Sequence, residues 1–134
     1  MDQANYQTIL IKCEDRVLNL TLNRPEQLNA VNGTMHEELS RVFTDAAHDP
    51  DSDIIVLTGA GRAFCAGGDI DWMQDAVDNP LSFERTAVEG KQIIFSLLDC
   101  EKPIVAKVNG AAVGLGATLA LFCDIIFAAS DAKF

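Results

Sequence analysis

Two short, mostly branched apolar runs, Ile54-Ile55-Val56-Leu57 and Pro103-Ile104-Val105-Ala106-Lys107-Val108, are each followed by a glycine-rich segment that leads into residues at helical spacing. The first run is apolar on both sides, which is the pattern of a strand buried within a sheet. Strand, glycine loop and helix in repeated order point to the α/β class, with right-handed crossovers between strands. The rest of the chain agrees. Ile9, Ile11 and Cys13 alternate with polar Thr8 and Lys12, and Val17, Leu18, Leu20 and Leu22 follow the Glu14-Asp15 turn signal, so a two-stranded hairpin is expected. Pro25, which has no N–H for a ladder, ends it. Thr34-x-x-Glu37 has the form of a capping box, and Met35, Leu39, Val42, Phe43 and Ala46 carry a helix from about Thr34 to Ala47. Asn79-Pro80 supplies an N-cap and an N1 proline for a second helix, whose stripe of Phe83, Ala87, Ile94, Leu97 and Leu98 runs to about Asp99. Leu115 to Leu121 suits a buried helix, and Ile125 to Ala128 a buried strand.

At 134 residues the chain is one domain at most. Ten Lys and Arg against twenty Asp and Glu give a net charge of −10, and the basic residues are scattered. Nucleic-acid binding needs clustered cations, and an anionic membrane surface repels such a chain, so both partners are excluded as expectations. The apolar stretch from Ala111 to Ala129 imitates a membrane span, but Asp124 within a bilayer costs ~2.5–3.5 kcal/mol, and Gly114 and Gly116 weaken a helix there. The N-terminus lacks the cationic and apolar blocks of a signal peptide. Cys13, Cys65, Cys100 and Cys123 form no C-x-x-C pair, so they read as buried small hydrophobes in a cytoplasmic protein.

Several chemistries are missing from the sequence. Neither Gly59-Ala60-Gly61 nor Gly114-Leu115-Gly116 opens a P-loop, and Phe64 and Leu119 occupy the third position of a dinucleotide fingerprint. His36 lies beside Glu37 and Glu38 and reads as part of a solvated helix face. Asp69, Asp71 and Asp75 read as an acidic helix start, not a cation site, and no metal is expected. What remains is the pair of segments Phe64-Cys65-Ala66-Gly67-Gly68-Asp69-Ile70 and Asn109-Gly110-Ala111-Ala112-Val113-Gly114-Leu115-Gly116. Two such loops at helix starts can aim N–H donors at one carbonyl oxygen, as an oxyanion hole does. Alternatively, their small residues serve tight packing of helix on sheet.

Three blocks together, Arg24-Pro25-Glu26-Gln27-Leu28-Asn29-Ala30, Leu57 through Asp69 and Val108 through Asp124, resemble the enoyl-CoA hydratase/isomerase, or crotonase, superfamily in order and spacing. The resemblance runs from about Tyr6 to Phe134 and implies a crotonase-like ββα spiral. Residues 1–134 would then be the N-terminal part of a single domain, incomplete at its C-terminus. It implies binding of an acyl-CoA or enoyl-CoA thioester as substrate with no other cofactor, and assembly as a homotrimer or a dimer of trimers. By position it assigns the oxyanion N–H groups to Gly68 and Leu115. It sets Leu28, Ala30, Ala66, Asp69 and Ile70 along the coenzyme A path, largely through backbone atoms, and Ala112 and Gly114 beside the acyl thioester.

The sequence departs from that pattern twice. Thr118 stands where hydratases of the family carry a glutamate, and a second family glutamate would lie beyond Phe134. A threonine hydroxyl is no general base near neutral pH, so isomerase-like or divergent chemistry is favoured over hydration. The rival is a catalytically silent acyl-CoA-binding or assembly protein of the same fold. Asp71 stands where hydratases often have Lys, which weakens attraction for the coenzyme's phosphates unless Arg62, Lys91 or residues beyond Phe134 compensate.

Overall fold

The computed structural model describes residues 1–134 and contains one five-stranded sheet of order β1-β2-β3-β5-β7. β1 (Ile9–Glu14) and β2 (Val17–Leu22) form the expected antiparallel hairpin at one edge, with Ile9 opposite Leu22. β2, β3 (Ile54–Gly59), β5 (Ile104–Val108) and β7 (Ile125–Ala128) run parallel to one another. Between them the chain repeats a strand-strand-helix unit. α1 (Gly33–Ala47) follows the hairpin. β4 (Ala63–Cys65), α2 (Ile70–Asp78) and α3 (Pro80–Leu98) follow β3, and β6 (Ala111–Ala112) and α4 (Leu115–Leu121) follow β5. The second strands of two successive units, β4 and β6, pair in parallel as a small sheet of their own. This is the ββα spiral that the family resemblance implies.

Period-two alternation on the strands and period-3.6 spacing on α1 meet in a single core. Leu18, Leu20 and Leu22 of β2, Ile55 and Leu57 of β3, and Ile104, Ala106 and Val108 of β5 are buried. They share one cluster with Met35, Leu39, Val42, Phe43 and Ala46 of α1 and Ile93 and Leu97 of α3. No helix is long and apolar enough to cross a membrane, and the apolar 111–129 stretch is divided among β6, α4 and β7.

Several local expectations are corrected. α1 is capped by Asn32, whose side-chain oxygen accepts the Met35 N–H at 2.9 Å, and Thr34 lies inside the first turn. His36 and Glu38 are not on a solvated face. Glu38 accepts the N–H groups of Gln7 and Thr8, and His36 is buried with its Nδ1 2.8 Å from Glu89 of α3. Asn79 precedes α3 without a side-chain cap bond, and Phe83 and Leu98 of the anticipated buried stripe are exposed, because α3 turns Glu89, Ile93 and Leu97 inward. Among the cysteines, Cys65 and Cys123 are buried, Cys100 is half-buried and Cys13 is exposed on the hairpin. Burial pushes the Cys65 thiol up and the Cys123 thiol up to about 12, which keeps both protonated and unreactive.

β3 is buried on one face only, since Ile54 is exposed and Val56 half-exposed. β7 departs further. It is an edge strand with all four side chains exposed, and Leu121 and Phe122, a few residues before it, are exposed as well. An unpaired strand edge carrying Ile125, Ile126 and Phe127 is a template for association. The 134-residue chain expressed alone is therefore expected to self-associate, and the pair Ile125→Lys and Phe127→Lys to reduce that association. Light scattering across a concentration series checks this, and a monodisperse unsubstituted chain would contradict it.

Candidate active site

The site is built on a carbonyl. The Ala63 oxygen, at the first residue of β4, accepts the Asn29 Nδ2 at 2.9 Å and the Asn109 Nδ2 at 3.2 Å. Asn29 is fully buried. Its other contacts reach the Ala60 carbonyl at 2.9 Å through Nδ2 and the Arg24 N–H at 2.8 Å through Oδ1. Asn109 likewise donates to the Gly61 carbonyl at 2.9 Å and accepts the Gly59 N–H at 3.2 Å. Two carboxamides thus tie the segments around 24–30, 59–69 and 108–116 to one another. The asparagine at 29 also suits its left-handed backbone, φ 56°, next to the more strained Leu28 at φ 53°. Leu28 is held there by its N–H to the Pro25 carbonyl and by the Ala66 N–H on its own carbonyl at 3.0 Å.

So tied, the two glycine loops touch. Gly67 has φ +89° and Gly114 φ +55°, and a Cβ placed on Gly67 would lie 2.9 Å from the Val113 carbonyl oxygen and 3.7 Å from the Gly114 Cα. The Val113 N–H donates to the Cys65 carbonyl at 2.9 Å, which extends the β4–β6 pairing into this contact. Gly68 and Leu115 each follow the touching glycines by one residue. Neither N–H has an acceptor within the chain, because Leu115 opens α4 and Gly68 lies between two residues, Gly67 and Asp69, that bridge to Val31 through their own carbonyl and N–H.

Four of the residues expected along the coenzyme path, Ala30, Ala66, Asp69 and Ile70, line one groove of about 420 Å³ together with Gly68 and Asp71. Leu28, Ala112, Gly114 and Leu115 are outside that lining. Ala112 is fully buried beneath the site, paired with Cys65, and its N–H donates to the Lys133 carbonyl.

Asp69 departs from its expected role, since its backbone is not free for a ligand. Its N–H donates to Val31 and its carbonyl accepts from Met73. Its side chain caps α2 by accepting the Asp71 and Trp72 N–H groups and pairs with Arg24 at 3.2 Å. The Trp72 N–H and the Arg24 guanidinium hold the Asp69 carboxyl below the usual carboxylate range. Arg24 also donates to the Ala30 carbonyl, so it spans the groove's rim from one motif to the next. Thr118 is half-buried on the first turns of α4. Its hydroxyl lies 3.2 Å from the Gly114 carbonyl and its N–H donates to the same oxygen at 3.0 Å.

The sequence profile of the enoyl-CoA hydratase/isomerase family matches residues 12–134. The chain belongs to that family. It is 43% identical to the 1,2-epoxyphenylacetyl-CoA isomerase of Escherichia coli over 131 residues, which are 94% of this chain and 49% of that protein. It is 39% identical to a probable enoyl-CoA hydratase of Mycobacterium bovis over 130 residues, 96% of this chain and 49% of the relative. The crystal structure of an enoyl-CoA hydratase/isomerase from Mycobacterium paratuberculosis superposes with a TM-score of 0.93 at 37% identity, covering 96% of this chain and 52% of that one. The chain therefore spans about half the length of the curated relatives it matches.

Arg24, Asn29 and Asn109 have roles that pattern reading does not assign. In the sequence Arg24 marks only the strand end and Asn109 only a turn. The available signal is a polar Asn between Leu28 and Ala30, a place where a buried amide must find partners. Asn29→Ala would leave the half-buried Arg24 N–H and Ala60 carbonyl without their partner and take one donor from the buried Ala63 carbonyl, and we expect a loss of about 2 kcal/mol in urea unfolding. Asn29→Asp keeps the acceptor for Arg24 but sets a carboxylate oxygen against two carbonyls, and is expected to lose at least as much at neutral pH. An Asn29→Asp variant as stable as the unsubstituted protein would contradict the clamp.

Proposed function

We propose that this chain supplies the thioester-binding half of an acyl-CoA enzyme in which the Gly68 and Leu115 N–H groups hold the thioester oxygen as it gains enolate charge. The observation that carries this reading is the pair of acceptor-free N–H groups, each one residue beyond the glycines at which the two loops touch. Donors fixed in advance by the Asn29 and Asn109 amides stabilise the charged oxygen more than the neutral carbonyl, and only that difference accelerates the step. The coenzyme A part lies along the groove from Ala30 to Asp71. The thioester is itself the substrate, and no further cofactor takes part. Three copies, or two such trimers, assemble and cover the apolar α4–β7 face.

Beside the thioester, the residue that differs from a hydratase is Thr118. Its hydroxyl is within reach of the Gly114 carbonyl and has no basicity with which to activate water. A carboxylate elsewhere in the protein moves the proton between carbons, and the reaction is double-bond isomerisation in preference to hydration.

Both parts are tested in the protein at its full natural length. Gly68→Pro removes one donor, and turnover is expected to fall by ~10²–10³. Gly68→Ala is the control. It keeps the N–H and adds a methyl whose nearest neighbour is the flexible Met73 thioether, 2.6 Å from the built Cβ. Undiminished turnover in a folded Gly68→Pro variant would overturn the assignment. Crotonyl-CoA hydration and 3-enoyl-CoA isomerisation, assayed side by side, are expected to favour isomerisation. Thr118→Glu is then expected to raise hydration, since well-placed general acid–base help contributes ~10²–10⁴. Efficient hydration by the unsubstituted protein would contradict the isomerase reading. Thioester binding with neither reaction would favour the silent acyl-CoA-binding protein.

A further inference from the structure

Each of the two N–H groups assigned to the thioester oxygen belongs to a peptide unit whose carbonyl is engaged from behind. A peptide unit is planar, and in its trans form the N–H points away from the C=O of the preceding residue. No peptide bond in the chain is cis. The Gly68 N–H shares its unit with the Gly67 carbonyl, which accepts the Val31 N–H at 2.7 Å. The Asp69 N–H returns to the Val31 carbonyl at 2.9 Å, so Val31 brackets this unit and turns the Gly68 N–H away from itself. The Leu115 N–H shares its unit with the Gly114 carbonyl. That oxygen accepts two bonds from one residue, the Thr118 N–H at 3.0 Å and the Thr118 hydroxyl at 3.2 Å.

These bonds do more than hold the loops still. A peptide that accepts a hydrogen bond at its oxygen is polarised, and its N–H becomes a stronger donor by roughly 10–30% per bond. Val31 acts on Gly68 through the main chain alone. The Thr118 N–H does likewise for Leu115, since it makes the ordinary first-turn bond of α4. The Thr118 hydroxyl differs, because its presence is decided by the side chain at 118. A threonine in a helix bonds readily to the carbonyl four residues back, and here that carbonyl is the one behind the Leu115 donor. A valine has no hydroxyl to give and an ionised glutamate has no proton to donate, so neither makes this contact. The hydroxyl sits on the carbonyl side of the Gly114–Leu115 unit and the Leu115 N–H on the other. It acts through the peptide, not on the thioester oxygen.

We propose that Thr118 is a positioning residue for the thioester chemistry, whose hydroxyl, bonded to the Gly114 carbonyl, strengthens the Leu115 N–H as a donor to the oxygen that gains charge. The proposal rests on the reading of Gly68 and Leu115 as the oxyanion donors. It gives the threonine a role of its own at a position where the sequence shows only the lack of a general base. One donor of this kind contributes ~10²–10³ in turnover, and 10–30% of the free energy behind that factor corresponds to about two- to eightfold.

The test uses butanoyl-CoA labelled with carbon-13 at its carbonyl, bound to the protein at its full natural length, with circular dichroism confirming that each variant folds. Donors to a thioester oxygen lower its C=O stretching frequency, so infrared spectroscopy reads the strength of the site without turnover. In the unsubstituted protein the band of the bound thioester is expected below that of the free one. Thr118→Val keeps the branched shape and removes the hydroxyl. It is expected to move the band part of the way back and to lower kcat for 3-enoyl-CoA isomerisation by about two- to eightfold with KM unchanged. Thr118→Ser is expected to restore both. An unmoved band in folded Thr118→Val would overturn the proposal. So would a loss that serine does not repair, or one that falls on KM alone, because these assign residue 118 to shape or to substrate contact. Failure of the oxyanion reading itself looks different, because then the bound and free bands already coincide in the unsubstituted protein, or no thioester binds.

Discussion

The Ala63 carbonyl is the point on which the rest of the site depends. Main-chain pairing cannot hold a glycine-rich loop in one conformation, because such a loop has few ladder bonds and high backbone entropy in the unfolded chain. Here the loop after β3 is held by side-chain amides from two other segments. Asn29 and Asn109 both donate to Ala63, and their remaining polar atoms close on Ala60, Gly61, Gly59 and Arg24. Buried amides of this kind are favourable only when every donor and acceptor is matched, so the network has one low-energy arrangement and few near it. That rigidity lets Gly67 and Gly114 meet and leaves the neighbouring N–H groups pointing away from internal acceptors.

Arg24 extends the same logic from the loop to the helix that follows. Its guanidinium joins the Ala30 carbonyl and the Asp69 carboxylate, and Asp69 caps α2. The start of α2, the groove beside it and the first motif therefore move as one unit. The first turn of α2 also rests on Trp72, and through it on the His36–Glu89 pair between α1 and α3. That turn is fixed both by charge-assisted hydrogen bonds and by an aromatic contact.

Much of this fold is legible in the residues. The hairpin, α1, α3, α4 and β7 lie within a residue or two of the spans that periodicity and breakers suggest, because hydrophobic spacing reports directly on which side of an element meets the core. Burial is less legible. His36 and Glu38 look like a polar helix face in sequence, but they are buried because Glu89 and the N–H groups of Gln7 and Thr8 come to them from elsewhere. Ile125, Ile126 and Phe127 look like a buried strand, yet no neighbour in this chain covers them.

By itself the sequence determined the α/β class, the order of elements and the family, since these follow from local periodicity, glycine and proline placement and three spaced motifs. It also named the groove residues Ala30, Ala66, Gly68, Asp69 and Ile70, which the fold does bring together. Only the tertiary structure decided what those residues are free to do. Asp69 is consumed by its cap and by Arg24, whereas the Gly68 and Leu115 N–H groups stay unpaired. The physical reason is that a hydrogen-bonding group is available only when nothing nearby satisfies it, and what lies nearby here comes from segments distant in the chain, as Arg24 is from Asp69 and Asn109 from Gly59.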